Sequence, residues 1–353
     1  MNIVRINTLH VDKRDRGGPN QPLFIANRLN KRFPLRGTSK QVHAVNDVSF
    51  NILKGETLGV VGESGCGKST LGRLLLQLIE PSSGEVIFDG ESVGHDISIR
   101  DLRRQVQMVF QDSFGSLNPR LSILDSVAFG PVAHGSTKSD ALMIARDALR
   151  SVDLNHEEFG HRYPHELSGG QKQRANIARS LALRPRMLVL DESVSALDKT
   201  VAAKVIRLLE RLKRELSLTY MFISHDLDVV RHLSDRVMVM YLGRVVEIGT
   251  VEDIFDHPMH PYSRGLLQAR PTSDPRQRTL KAPIDGEPPD PVDPPGGCAF
   301  HPRCAHAEAA CRSAVPMLTE GPHQVACVMY VANSGHSRAP RESMKPAPVV
   351  EAA

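Results

Sequence analysis

No apolar run in the sequence approaches the roughly 18 residues that a membrane-spanning helix needs, and the opening "MNIVRINTLHVDKRDRGG" lacks the apolar stretch of a secretion signal. Both absences lead to the expectation of a chain that stays in the cytoplasm. Charge of one sign is scarce as well. The net charge is only +4, with lysines and arginines interleaved with acids, so composition makes no case for a nucleic-acid partner. Cysteine is too rare for a disulfide framework: there are five, and four of them lie between Cys298 and Cys327. What is present suffices for a core. The 353 residues, 41% of them hydrophobic, suit one large or two modest domains and argue against a fibrous or disordered chain.

The segment "GETLGVVG" reads as a buried strand, and "STLGRLLLQLIE" carries apolar residues on a helical period. Between them, "VGESGCGKST" has the spacing Gly62-x-x-x-x-Gly67-Lys68-Ser69. In that arrangement backbone N–H groups wrap a phosphate chain, the lysine reaches its outer phosphates and the serine hydroxyl takes Mg²⁺. Gly62, Ser64, Gly65, Cys66, Gly67, Lys68, Ser69 and Thr70 are therefore the candidate nucleotide-binding residues. The glycine pattern alone is a weak signal, and the strand-loop-helix context is what gives it meaning.

Further along, "GEVIFDG" and "RQVQMVFQD" read as short strands, and "KSDALMIARDALRSV" as a helix with Ala141, Ile144, Ala145, Ala148, Leu149 and Val152 on its apolar face. A second helix is expected from Lys172 to Leu183, then strand "RMLVLDES", then a helix from Val201 to Leu216 with Val205, Leu208, Leu209 and Leu212 on one face. Strand "TYMFIS", helix "DLDVVRHLS" and strands "RVMVMYLG" and "RVVEIG" follow. Such alternation implies a mainly parallel sheet covered by helices. After about residue 270 the chain turns proline-rich and reads as an extended linker, and its last twenty or so residues read as disordered.

In-line attack on a phosphoryl group is catalysed by orientation and charge stabilisation, so a phosphate loop needs a metal partner and a residue to position water. Asp191 ends an apolar strand, where its carboxylate can face the phosphate loop and hold Mg²⁺. Glu192 follows it. Adjacent side chains at a strand end diverge, so one acid can serve the metal while the other handles the attacking water. Upstream, "LSGGQ" (Leu167, Ser168, Gly169, Gly170, Gln171) stands at a helix start, a second place where unpaired N–H groups and the helix dipole favour an anion.

Gly62 to Ser69, Gln111 in "VFQD", "LSGGQ", "LVLDES", "SALD" ending on Asp198, and His225 in "ISHD" together resemble the ATP-binding cassette (ABC) ATPases over roughly residues 22–270. The resemblance implies an α/β ABC-type P-loop ATPase: a mainly parallel core sheet, an antiparallel β subdomain, a helical signature subdomain at about 112–182 and a small cysteine-containing C-terminal extension. It implies ATP and Mg²⁺ as ligands, with Mg²⁺ at Ser69, Gln111 and Asp191. Glu192, Gln111 and His225 would be catalytic, His225 by contacting the γ-phosphate, and Asp198 would lie at a dimer seam. Two subunits would pair head to tail, each ATP held between one phosphate loop and the other subunit's LSGGQ. The family stacks adenine on an upstream aromatic residue, for which Phe33 is the best local candidate and Phe24 the alternative. The family usually has proline where this chain has Ser193; proline would stiffen the turn after Glu192, so at most slower or looser turnover is expected.

"QDSFGSLNPR", "HPYSRGLL" and "PPGGCAFHPRC" are similar to the oligopeptide and dipeptide importer branch, most of all to its F-type ATPase subunit. That implies domains at 22–270 and 271–330 between an N-terminal tail, 1–21, and a disordered tail, 331–353. The implied partners are a second ATPase subunit, a D-type paralogue in a heterodimer, two transmembrane permease subunits and, indirectly, an extracytoplasmic solute-binding protein. The implied place is the cytoplasmic face of the inner membrane, as a peripheral subunit. Nickel or another small solute stays open as cargo. Soluble ABC ATPases that act on DNA or ribosomes usually carry a long coiled-coil insertion or tandem cassettes, which this sequence lacks, and a P-loop kinase or GTPase has no use for LSGGQ.

Cys298, Cys304, Cys311 and Cys327 follow the proline-rich stretch with spacers of five, six and fifteen residues. Such a set in a cytosolic chain favours a metal site. Structural zinc usually includes tight pairs, whereas longer spacers suit four thiolates around a larger cubic cluster. The resemblance points the same way, because some peptide-importer ATPases carry a [4Fe–4S] centre in this tail. An iron–sulfur cluster is expected, with zinc and free thiols as the alternatives, in a structural role for a small tail domain with little apolar content.

Overall fold

The computed structural model describes residues 22–112, 115–270 and 284–340. The expected N-terminal tail, the first part of the expected linker and the end of the expected disordered tail lie outside the described residues. β1 (Pro22–Pro34) and β2 (Gln41–Leu53) form a long antiparallel ribbon. Val48, Phe50 and Ile52 bury one face of β2 at period two against Leu23, Phe24, Ala26 and Leu29 of β1. β3 (Thr57–Val61) leads through the glycine loop into α1 (Lys68–Leu75). β4 (Ser83–Phe88) and β5 (Glu91–Ser92) complete an antiparallel sheet in the order β2-β1-β4-β5.

α2 (Ile99–Gln105) and β6 (Val106–Val109) precede a helical region of α3 (Ile123–Ala133), α4 (Lys138–Ser151), α5 (His156–Phe159) and α6 (Gly169–Leu181). Ser122, Thr137 and Ser168 accept backbone N–H bonds from the first turns of α3, α4 and α6, and each such cap stabilises its helix by about 1 kcal/mol. β7 (Met187–Asp191), α7 (Lys199–Leu216), β8 (Thr219–Ile223), α8 (Leu227–Leu233), β9 (Arg236–Tyr241) and β10 (Arg244–Thr250) follow. α9 (Val251–Asp256) and α10 (Pro261–Gln268) end the main body.

Among the described residues the core sheet runs β11-β10-β9-β3-β8-β7-β6, where β11 is Gln324–Val325; β9, β3, β8, β7 and β6 are parallel, and β10 and β11 join antiparallel at one edge. β3, β7 and β8 are buried throughout, as strands covered on both faces must be. One apolar cluster joins the sheet to α3, α4, α6 and α7, and a second joins its other face to α1 and the β1–β2–β4 sheet. α7 contributes Val205, Ile206, Leu208, Leu209 and Leu212, all buried. Truncating one of these leucines to alanine should cost about 2–5 kcal/mol.

Two helices start earlier than their apolar periods suggest. α6 begins inside LSGGQ at Gly169, because Ser168 and Gln171 close a reciprocal capping box around its first turn. α7 begins at Lys199, where the Asp198 carboxylate accepts the Val201 N–H at 2.9 Å. Each time a polar cap, which an apolar period cannot register, adds residues to the helix.

In the C-terminal extension residues 284–297 form no helix or strand, and His43 N–H of β2 donates to Pro291 O at 3.0 Å. α11 (Ala309–Ser313) and β11 (Gln324–Val325) follow, and β11 pairs antiparallel with β10, so the extension continues the core sheet at its edge. Residues 331–340, expected to be disordered, fold back instead. His336 is buried with its Nε2 2.9 Å from His306 O, and Ser334 Oγ donates to Val328 O at 2.6 Å. Specific polar partners hold this segment, which composition alone does not reveal.

Candidate active site

The glycine loop leaves β3 at the carboxyl edge of the parallel strands, where ligands of open α/β sheets bind. Gly67, the residue capping α1, has φ +105, and a Cβ there would lie 2.2 Å from Ala44 O of β2. Only glycine fits. With no side chain supplying a cap, the first N–H groups of α1 face outward as anion donors. Lys68 Nζ lies within the loop, donating to Gly62 O at 2.8 Å and Glu63 O at 2.9 Å. Burial pushes the neighbouring Cys66 thiol pKa up, against the opposing pull of the Lys68 charge.

Asp191 and Glu192 diverge at the end of β7. Ser69 Oγ donates to Asp191 Oδ1 at 2.8 Å, joining the hydroxyl and the acid that sequence reasoning assigned to Mg²⁺. Burial raises the Asp191 pKa, partly offset by the Ser69 hydrogen bond and the Arg73 charge. Glu192 takes a left-handed φ of +45, and its N–H donates to Ile223 O of β8 at 2.9 Å. Its Oε2 accepts from Gln111 Nε2 at 2.8 Å and lies 3.5 Å from His225 Nδ1. Lys68, Ser69, Gln111, Asp191, Glu192 and His225, delivered by α1 and the ends of β6, β7 and β8, thus meet at one edge. The arrangement can hold a phosphate chain and a cation on one side and present a carboxylate base on the other. Ser193 beside them is buried with no hydrogen-bond partner for its hydroxyl.

Leu167, Ser168, Gly169, Gly170 and Gln171 are not drawn to this cluster. Ser168 is exposed, a Cβ on Gly169 would lie 3.5 Å from Leu197, and one on Gly170 would lie 2.5 Å from Val201. LSGGQ therefore packs against the turn that carries Asp198. Phe33 is half exposed on β1, its ring under Lys31 Nζ at 5.1 Å and its backbone opposite Val42 of β2. Phe24 is fully buried and packs edge-on against Phe88, which leaves it no face for a base.

The four cysteines of the extension line one small cavity together with His260, His301, His306 and His336. Burial pushes the Cys298 thiol up to about 11 and the Cys327 thiol up to about 12, and the other thiols add to both. Among the described residues no three His, Cys, Asp or Glu side chains form a group able to hold a metal ion. The expected metal centre thus gains no support from donor spacing as it stands.

Sequence reasoning missed the contacts beneath the phosphate loop. Glu63 N–H donates to Tyr262 Oη at 2.8 Å, and its carboxylate is paired with Arg303 from the extension. Their separation along the chain leaves no local signal.

Residues 45–195 match the ABC transporter family model, and residues 246–311 match that of the oligopeptide/dipeptide transporter C-terminal region. A probable peptide ABC transporter ATP-binding protein of Sinorhizobium fredii is 47% identical over 90% of this chain and 90% of its own. The chain belongs to the ABC transporter ATP-binding family. The oligopeptide transport ATP-binding protein AppF of Bacillus subtilis is 44% identical to this ABC ATPase, over 86% of this chain and 95% of its own. Among solved structures, cbiO1 of Clostridium perfringens, part of an ABC transporter complex, aligns with TM-score 0.59 and 31% identity over 67% of this chain and 91% of its own. A dimeric ATP-binding cassette bound to ADP and Pi aligns with TM-score 0.57 and 28% identity over 65% of this chain and 98% of its own. The two-sheet α/β architecture is that of an ABC ATPase, and the chain acts as an ATPase with ATP and Mg²⁺ as its ligands.

Proposed function

We propose that this ATPase powers the import of oligopeptides or dipeptides through separate transmembrane permease subunits. The observation that carries the reading is the match of residues 246–311 to the oligopeptide/dipeptide transporter C-terminal region. The peptide and oligopeptide transport names of the relatives support it. No helix among the described residues is long and apolar enough to cross a membrane, and the path for cargo is assigned to two permease subunits on whose cytoplasmic face the chain sits. A D-type paralogue is its heterodimeric partner, and a solute-binding protein delivers cargo from the far side. The cassette is read as residues 22–270 and the extension as 271–330.

In this reading Gly62, Ser64, Gly65, Cys66, Gly67, Lys68, Ser69 and Thr70 hold the phosphates, and Phe33, exposed where Phe24 is not, stacks on adenine. Ser69, Asp191 and Gln111 hold Mg²⁺, which when bound spreads the charge that develops on the phosphate oxygens. Glu192 accepts the proton of the attacking water, with Gln111 and His225 fixing its carboxylate. His225 then contacts the γ-phosphate. LSGGQ serves the ATP of the paired subunit, with Asp198 at the seam.

The four thiols of the extension are assigned to a [4Fe–4S] cluster. A single zinc ion draws all four sulfurs to about 2.3 Å from one centre, whereas each thiolate of a four-iron cluster holds its own iron. What supports the assignment is that the four thiols line one small cavity. His260 fits the same reading. Its Nδ1 accepts the Tyr262 N–H at 3.0 Å, which leaves the proton of the neutral ring on Nε2, and that buried N–H has no partner in the protein. The atom needs an acceptor, and His260 lines the thiol cavity.

Tagged protein purified from membranes should bring down two permease subunits, and a deletion strain should lose growth on defined peptides. Loss of growth only under nickel limitation, or recovery of the chain with ribosomes or DNA, would overturn the reading.

A further inference from the structure

One ion pair joins the two halves of the chain at the ATP site. Glu63 lies between Gly62 and Ser64, inside the phosphate loop, and Arg303 lies on the turn between Cys298 and Cys304. Arg303 Nη1 donates to Glu63 Oε2 at 2.8 Å and Nη2 to Oε1 at 3.0 Å, a fork-to-fork pair with the arginine side chain only 7% exposed. Such bidentate pairs fix direction as well as charge. Arg303 is itself held: Nε donates to Asp285 O at 3.2 Å and Nη1 to Tyr241 Oη at 3.4 Å. The main chain of Glu63 is fixed from both ends. Its N–H donates to Tyr262 Oη at 2.8 Å, and its carbonyl accepts from Lys68 Nζ at 2.9 Å. Phe300, three residues before Arg303, packs edge-on against Tyr241 and Tyr262, with ring centres 5.2 and 5.4 Å away.

A carboxylate within an anion cradle opposes the ligand that the cradle exists to hold. Left free, Glu63 would carry its charge beside the incoming triphosphate; among the described residues its ion-pair partner is Arg303. We propose that Arg303 of the C-terminal extension is a positioning residue for the phosphate loop: it turns the Glu63 carboxylate away from the phosphates and neutralises it, so that the extension braces the ATP site of its own chain. The inference requires ATP binding at the glycine loop and nothing about what the four thiols hold. Deletion of the extension should therefore weaken ATP binding, even though the cassette carries all the residues of this chain assigned to the phosphates.

The test is ATP affinity of the purified full-length chain, read by titration with a fluorescent ATP analogue, alongside the KM and kcat of hydrolysis. Arg303→Met should raise the Kd and KM for ATP by about tenfold, the scale of one lost charge-assisted pair, with kcat changed much less. Glu63→Gln alone should bind ATP at least as tightly as wild type. Arg303→Met with Glu63→Gln removes both charges and should return the Kd to within about threefold of wild type, because removing both partners leaves no uncompensated charge. If Arg303→Met does not fold, Arg303→Lys with and without Glu63→Gln gives the same comparison at smaller amplitude. Wild-type affinity in the arginine variant would overturn the inference, as would a double variant as weak as the single one, which would mean that Arg303 only supports the fold.

Discussion

Glu192→Gln separates ATP binding from hydrolysis. The substitution leaves Lys68, Ser69 and the Ser69–Asp191 hydrogen bond at 2.8 Å untouched, so the phosphate and metal contacts survive. What changes is Oε2, the atom that accepts from Gln111 at 2.8 Å and faces His225 at 3.5 Å. An amide flip can keep an oxygen toward Gln111, so geometry is preserved while basicity is lost. A positioned general base contributes about 10²- to 10⁴-fold, or about 3–5 kcal/mol of barrier. Phosphate release in single turnover should therefore slow by at least on the order of 10²-fold, while the ATP Kd stays within about threefold of wild type. The assay pairs quenched-flow phosphate release with nucleotide titration on the same preparation. Turnover within about threefold of wild type, or an ATP Kd that rises in step with the loss of rate, would refute the assignment of Glu192 as base.

Lys68→Ala should weaken ATP binding or hydrolysis severely, since it removes the lysine charge assigned to the outer phosphates; near-normal turnover would contradict the phosphate-loop assignment. Mixed pairs of wild-type and Ser168→Arg subunits should lose hydrolysis at the site where the altered serine faces a wild-type phosphate loop, and normal firing there would end the shared-site model. Anaerobic purification should give a brown protein with about four irons per chain, while one zinc in a colourless protein would replace the cluster and keep the four-thiol site. His260 is held neutral by burial, its pKa lowered from 6.5 to about 3. Below pH 6.5 the unfolded chain takes a proton that the folded chain refuses, so His260 costs stability as pH falls from 6.5 toward about 3 and nothing above that window. His260→Gln should flatten that part of the denaturation profile, and an unchanged slope would mean that other groups set it.

The parallel strands were legible because β3, β7 and β8 are largely apolar runs, and Asp191, Glu192 and His225 stood out as candidates because they end or follow such runs. β2 was not read, and neither was β1, which is equally long. Its register shifts between Ala26 and Leu29 and again between Leu29 and Lys31, and Arg28 takes a left-handed φ of +49, so the period of two is broken where a reader would count it. Helix starts were misplaced by a few residues where Ser168 and Asp198 act through hydrogen bonds rather than burial. The Arg303–Glu63 pair was wholly invisible, since it joins residues 240 positions apart. The fold-back of residues 331–340 was hidden in the same way, because it rests on contacts such as His336 with His306 that only the folded chain creates.

ATP hydrolysis at this site is proposed to drive peptide across a membrane. Proteoliposomes that hold the chain with its co-purified permease subunits test it directly, through accumulation of a labelled oligopeptide delivered by its solute-binding protein, with ATP supplied on the side of the ATPase. ATP-dependent accumulation is expected with the wild-type chain and none above background with Glu192→Gln, although that variant binds ATP. Equal accumulation with the two chains, or rapid ATP hydrolysis with no peptide moved, would contradict the proposal.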